Sequence, residues 1–208
     1  MVYPITKRTL VPLTRLFLKD AKGVENIPKE GPFIITSNHE SYLDPFFIIA
    51  VIMPRINKKV HFLANKGRYW DFFGNVIARD WAGCILLEGR KEKALKEALS
   101  ALKKGGVVGI FIEGITSLDG TLQKGKTGVV RLALTAKVPV LPVGLIDTIK
   151  IAPRDTLIPR PKRAKLCIGQ PVHLDGYYNK SITNGMLRKL TDDIMRRISR
   201  LTGKPYNY

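Results

Sequence analysis

At 208 residues the chain is the size of one domain and long enough to bury a substantial core. Its 45% hydrophobic content excludes a disordered polar tail. The 35 Lys and Arg against 17 Asp and Glu leave a formal charge of +18, which implies an anionic partner: nucleic acid, an acidic lipid surface or a phosphorylated substrate.

Residues 1–20 mix Ile5, Leu10, Val11, Leu13, Leu16, Phe17 and Leu18 with Lys7, Arg8, Arg15 and Lys19. Such a basic, apolar segment either lies in a bilayer interface or packs as a helix on the domain that follows, residues 21–208. Charges and Pro12 interrupt it too often for a signal peptide. After the turn signal Pro28-Lys-Glu-Gly-Pro32, Phe33–Ser37 reads as a buried strand, and Pro45–Met53 as a helix opened by Asp44-Pro45. Pro45–Met53 is also the longest apolar run, far short of the ~20 residues a membrane span requires.

Lys59–Ala64 and Cys84–Leu87 are strand candidates. In Lys91–Lys104 the residues Leu95, Ala98, Leu99 and Leu102 share a helical face that Gly105-Gly106 ends. Val107–Ile112 is the clearest strand, followed by a helix at Thr127–Ala136 and strands at Val138–Leu145 and Ala164–Ile168. Leu187, Leu190, Ile194, Ile198 and Leu201 close the pattern as an amphipathic helix. Strands separated by helices predict a single α/β domain, a largely parallel sheet flanked by helices. Catalytic groups in such sheets lie at the carboxyl ends of strands. Cys84 and Cys167 stand far apart in apolar runs and read as buried free thiols. None of the three histidines is at metal-ligand spacing to another.

The segment Asn38-His-Glu-Ser-Tyr-Leu-Asp44-Pro45 leaves the first buried strand directly. Histidine is the side chain best able to accept a proton near neutral pH, and a carboxylate on its other ring nitrogen would fix the tautomer and stabilise the imidazolium. His39 is the candidate base and Asp44 its partner, provided that a turn brings them together. Residue types alone leave two readings of Asp44, because Asp-Pro before an apolar run is also a helix-capping signal.

Asn-His-x-x-x-x-Asp-Pro after a strand resembles the first motif of the lysophosphatidic acid/glycerol-3-phosphate acyltransferase family. Further segments resemble that family in its order: Gly23-Val-Glu-Asn-Ile-Pro28, Phe62-Leu-Ala-Asn-Lys66, Gly83-Cys-Ile-Leu-Leu-Glu88, Phe111-Ile-Glu-Gly-Ile-Thr-Ser117, Val138-Pro-Val-Leu-Pro-Val143 and Ile168-Gly-Gln-Pro171. Each is short; the ordered set is specific. The resemblance implies a glycerolipid acyltransferase-like α/β fold. It also implies acyl transfer from a thioester, with His39 as base and Asp44 orienting it. No covalent acyl-enzyme is needed, since no Ser or Cys lies in a recognisable nucleophile elbow.

Two motifs depart from the family. Its third motif reads Phe-Pro-Glu-Gly-Thr-Arg-Ser, where this chain has Ile112, Ile115 and Thr116 in place of Pro, Thr and Arg. Its second motif ends in Arg where this chain has Gly89, with Arg90 one residue later. Those two arginines are the family's grip on the acceptor phosphate. Arg90 and Lys126 are the candidates for replacement charge, unless they are solvated surface bases. Glu113 and Gly114 follow the Val107–Ile112 strand, and Glu113 is expected to bond acceptor hydroxyls, the catalytic loop or local backbone.

The expected reaction moves a fatty acyl group to a hydroxyl of a lysophospholipid acceptor, 1-acylglycerol-3-phosphate first among them, giving phosphatidic acid. Acyl-CoA or acyl carrier protein is the donor substrate, and no cofactor is expected. The alternatives are a different lipid acceptor, because the third-motif Arg is missing, or a lipid-binding member without turnover. The expected place is the cytoplasmic face of a membrane with an anionic surface, peripheral or monotopic, with no transmembrane helix. Nucleic acid is not an expected partner, since only charge favours it and no recognition signature accompanies that charge.

Overall fold

Strand β2 (Phe33–Ser37) is buried along its whole length and forms the middle of the sheet. It pairs in parallel with β5 (Val107–Phe111) on one side and β6 (Val140–Ile146) on the other. The computed structural model describes residues 8–65, 84–87, 91–153, 156 and 158–208. The remaining strands are β1 (Leu18–Lys22), β3 (Val60–Ala64), β4 (Ile85–Leu86) and β7 (Ala164–Ile168). Among the described residues seven strands run in the order β1-β7-β6-β2-β5-β3-β4, and every adjacent pair is parallel except β6 with β7. The expected single α/β domain with a largely parallel sheet is what the chain forms.

Alternation along the strands divides the core in two. Ile34, Val108 and Val140 face a cluster built with α3 (Lys91–Lys103), α4 (Gly128–Ala136) and α6 (Asn184–Thr202). Phe33, Ile35, Val107, Leu141, Val143 and Leu145 face the other side, where α2 (Asp44–Ile56) supplies Phe47, Ile48, Val51 and Ile52 and the short α5 (Thr148–Ile151) supplies Ile151. Both faces of the sheet are therefore covered, which explains the continuous apolar runs of its middle strands. In α3 the buried positions are Ala94, Ala98 and Leu102, while Leu95 and Leu99 are only half-buried. Two alanines facing the core let that helix lie close to the sheet. Cys84 and Cys167 are half-buried, not buried; Cys167 lies on the outward phase of β7, between Leu166 and Ile168.

Before β2 the chain holds α1 (Leu10–Leu16) and then β1, a strand that periodicity did not foresee. Lys19, Asp20 and Lys22 give β1 the polar character of an edge, where apolar alternation is not needed. It pairs with β7, and Ala164 N–H donates to the Phe17 carbonyl at 2.8 Å where the pairing begins. Val11 and Thr14 of α1 are buried, and Val11 packs with Ala50 and Met53 of α2. Leu13 and Leu16 on the other side of α1 stay 58% and 66% exposed. Among the described residues no helix is long and apolar enough to cross a membrane.

Gly109, in the middle of β5, is required by a close approach. A Cβ there would lie 2.5 Å from the Phe62 ring, which occupies the space above the glycine. Gly109→Ala should lower stability by about 1–3 kcal/mol, the usual range for overpacking. Thermal melts should show Gly109→Ala/Phe62→Leu recovering part of the loss. Equal melting temperatures for parent and Gly109→Ala would contradict this packing.

Candidate active site

Parallel pairing of β2 with β5 aligns Ser37 with Phe111, so both strands end at the same edge of the sheet. The next residues stay together: Ile112 N–H donates to the Ser37 carbonyl at 3.1 Å. His39 and Glu113, 74 residues apart in sequence, therefore leave neighbouring strands side by side. This is the carboxyl edge, where the loops of a parallel sheet build sites.

Residues 38–43 loop from β2 to α2, and Asp44 is the first residue of that helix. Its fully buried carboxylate turns back into the loop. One oxygen, Oδ2, accepts from His39 Nδ1 at 2.8 Å, Glu40 N at 2.7 Å and Ser41 N at 2.9 Å. The turn that sequence reasoning required between His39 and Asp44 is thus closed by the carboxylate itself. The carboxylate binds the residues before α2 and leaves the helix's own first turn uncapped. An ionised carboxylate only accepts, so the proton of the shared bond sits on Nδ1 and Nε2 is left as the basic nitrogen. The imidazole stays 14% exposed.

The ring and its backbone are held from several directions. Phe111 stacks on the imidazole with centroids 3.8 Å apart and planes 11° from parallel, and Phe62 stacks on Phe111 at 5.7 Å. His39 N–H donates to Glu113 Oε1 at 3.2 Å, while the His39 carbonyl accepts from Ser117 N–H at 2.7 Å. Asn38 fastens the loop to β6: its Nδ2 donates to the Leu145 carbonyl at 2.9 Å and its Oδ1 accepts from Leu145 N–H at 2.8 Å. Ser41 Oγ donates to the Ala152 carbonyl at 2.7 Å.

Glu113 is buried, and its second oxygen accepts from Gln123 N–H at 3.1 Å. Of the tasks foreseen for Glu113, two are visible in this arrangement: one oxygen holds the loop at His39 and the other binds local backbone at Gln123. Gly114 follows at the surface with Lys126 laid across it; a Cβ on Gly114 would sit 2.8 Å from Lys126 Nζ. Lys126 is exposed, and its N–H donates to the Ile112 carbonyl at 2.7 Å, which ties this cation to the same loop. Arg90 lies outside the described residues. Sequence reasoning did not single out Phe111, Gln123 or the side chains of Asn38 and Glu40. Asn38 and Phe111 stood inside the quoted motifs, yet their partners come from other strands.

The fold and this edge define an α/β domain with a buried Asp orienting a His between the carboxyl ends of two parallel strands. A model of the acyltransferase family matches residues 20–146, and the chain belongs to that family. It is 30% identical over 160 residues to a chloroplastic 1-acyl-sn-glycerol-3-phosphate acyltransferase of Arabidopsis thaliana, which covers 73% of this chain and 43% of that protein. The chain thus spans less than half the length of that plant relative. It is 27% identical to the 1-acyl-sn-glycerol-3-phosphate acyltransferase of Bacillus subtilis, over 86% of each chain. The crystal structure of the 1-acyl-sn-glycerophosphate (LPA) acyltransferase PlsC of Thermotoga maritima is similar with a TM-score of 0.72 at 27% identity, covering 98% of this chain and 79% of that one.

Burial pushes the Glu113 carboxyl up to about 7, against the backbone N–H groups that favour its charged form. A carboxyl raised in the folded state binds its proton more tightly there than in the unfolded chain. Its contribution is fully present below the unfolded value of 4.5 and is lost as pH rises through about 7. Glu113→Gln should therefore flatten the fall in melting temperature between those two pH values. Parallel curves for parent and variant across that window would show that Glu113 does not titrate there.

Proposed function

We propose that this chain transfers a fatty acyl group from an acyl thioester to a hydroxyl of 1-acylglycerol-3-phosphate, forming phosphatidic acid. The observation that carries the proposal is the bond between Asp44 Oδ2 and His39 Nδ1. It orients a histidine whose second nitrogen remains basic at the edge of the sheet. The names of the relatives from Bacillus subtilis and Arabidopsis thaliana support the choice of acceptor.

His39 Nε2 removes the proton of the acceptor hydroxyl as that oxygen attacks the thioester carbonyl. Asp44 stabilises the imidazolium that results, and Phe111 and the backbone bonds at His39 keep the ring in place. The tetrahedral oxyanion collapses, the carbon–sulfur bond breaks, and the proton on His39 leaves with the thiolate. Acyl-CoA and acyl carrier protein both provide that leaving group. Lys126, exposed beside Gly114, is suited to the acceptor phosphate. Thr116, where the family pattern has Arg, favours a second reading in which the acceptor carries a different head group. A lysolipid panel separates the two.

The exposed Leu13 and Leu16, with Arg15 between them, and the net charge of +18 support docking on an anionic membrane. Each Lys or Arg near such a surface contributes ~1 kcal/mol, weakened by salt. Sedimentation with vesicles should show binding that requires acidic lipid, and Leu13→Ser/Leu16→Ser should weaken it while leaving the melting temperature near that of the parent. Equal binding to neutral vesicles would count against the proposal.

In a thioester-release assay His39→Ala should lose at least ~100-fold in turnover and remain folded. Asp44→Asn is the sharper probe, because the amide oxygen can still accept from the loop while the charge that steadies an imidazolium is gone. It should lose most activity and a modest part of its stability, since the Asn NH2 enters a buried site beside the loop. Near-parent turnover in either folded variant would remove the dyad mechanism.

A further inference from the structure

The segment that follows α6 reaches back to the catalytic edge. Gly144 on β6 permits this, because a Cβ there would lie 2.8 Å from Leu201 Cβ near the end of α6. Beyond that end, Lys204 points its ammonium at Glu40, the residue between His39 and Ser41, and forms an ion pair with Glu40 Oε1. The same nitrogen donates to the Gly120 carbonyl at 2.5 Å. One cation therefore joins the loop that follows β2 to the loop that follows β5.

Both loops hold His39: the first carries it, and the second binds its carbonyl through Ser117 N–H. Glu40 is 1% exposed and also accepts from Asn38 Nδ2 at 2.8 Å, and Asn38 is the residue fastened to β6. The Glu40 N–H donates to Asp44 Oδ2, so a displacement of Glu40 acts directly on the carboxylate that orients the imidazole. Glu40, Asp44 and Glu113 are all buried and lie close enough to repel one another. Burial pushes Glu40 up to about 7 even with Lys204 pulling the other way. Removing the ammonium would push the Glu40 carboxyl higher still, so that near neutral pH it takes up a proton and loses its tie to the second loop.

Two neighbouring contacts keep the segment in place. Ser199 Oγ donates to the Lys204 carbonyl at 2.5 Å, and Tyr206 Oη donates to Asp192 Oδ1 at 2.7 Å. Arg188, paired with that Asp192, donates to the Gly125 carbonyl at 2.7 Å, one residue before Lys126.

We propose that Lys204 is a positioning residue of the reaction: it locks the two loops together and thereby sets the His39–Asp44 geometry from outside the site. The inference rests on the proposed role of that pair, and the test has an arm that does not depend on turnover. Lys204→Met, Lys204→Arg and Glu40→Gln/Lys204→Met are compared with the parent. Amide exchange at Glu40 and Ser41 reports the loop, His39 ring titration by NMR reports the dyad, and thioester release gives kcat and KM.

Lys204→Met should speed exchange at Glu40 and Ser41 at least ~10-fold over a global melting shift that is small by comparison. It should also lower kcat at least ~10-fold with little change in donor KM, as a misplaced base does. Lys204→Arg, which keeps the charge, should restore most of both. Glu40→Gln/Lys204→Met should recover part, because a neutral amide needs no cation. Should Lys204→Met fail to fold, Lys204→Gln takes its place. Unchanged exchange and an unchanged His39 titration in the folded Lys204 variant would overturn the inference, whether or not the parent turns over. An inactive parent with the exchange effect intact would instead overturn the proposed reaction and leave Lys204 as the loop's lock.

Discussion

Oδ2 of Asp44 accepts three hydrogen bonds at once, from the His39 ring and from the N–H groups of Glu40 and Ser41. Two of these shape the loop and the third orients the imidazole, so forming the loop and orienting the ring are one event. A carboxylate buried this deeply would be expensive to desolvate without such donors. Its burial is made possible by the same backbone groups that a freer loop would leave to water. Charge-assisted bonds of this kind are the stronger class, and here they join residues at most five apart.

The wider structure keeps that unit from shifting as a body. Pairing of β2 with β5 brings Glu113 and Ser117 to either end of the His39 backbone, and pairing with β6 presents Leu145 to Asn38. The aromatic ring of Phe111 covers the imidazole, and Phe62 supports Phe111 from a strand further out, over a residue with no side chain. The imidazole is thus held by the Asp44 carboxylate, by backbone bonds along the chain and by ring packing from β5. Each uses a different part of the sheet. The residues just beyond have a different character: Gly114, Ile115 and Lys126 are exposed.

Much of the fold was legible in the sequence. Phe33–Ser37 and Ala164–Ile168 are strands with the expected bounds, and the other foreseen strands and helices differ only at their ends. Local period carries that information, because a strand buried on both faces has to be apolar throughout and a helix against a sheet has to be apolar on one side. Strand β1 was not legible, since an edge strand of Leu18, Lys19, Asp20, Ala21 and Lys22 has no such requirement. The antiparallel direction of β7 was also hidden, because alternation reads the same in either direction.

The candidate site divides along the same line. In the sequence, the resemblance of Asn38-His39 through Asp44-Pro45 to the family's first motif marked His39 and Asp44 as a pair, and the five-residue spacing required a turn to join them. Residue types alone left open whether Asp44 caps its helix or serves the histidine. Tertiary structure decided that the carboxylate points back toward His39, since the direction of a side chain at a helix start depends on the loop it meets. It also decided the partners of Glu113, the stacking of Phe111 and the reach of Lys204 to Glu40 across 164 residues. No local period encodes such contacts: they exist only once strand order and register have set which loop ends lie side by side.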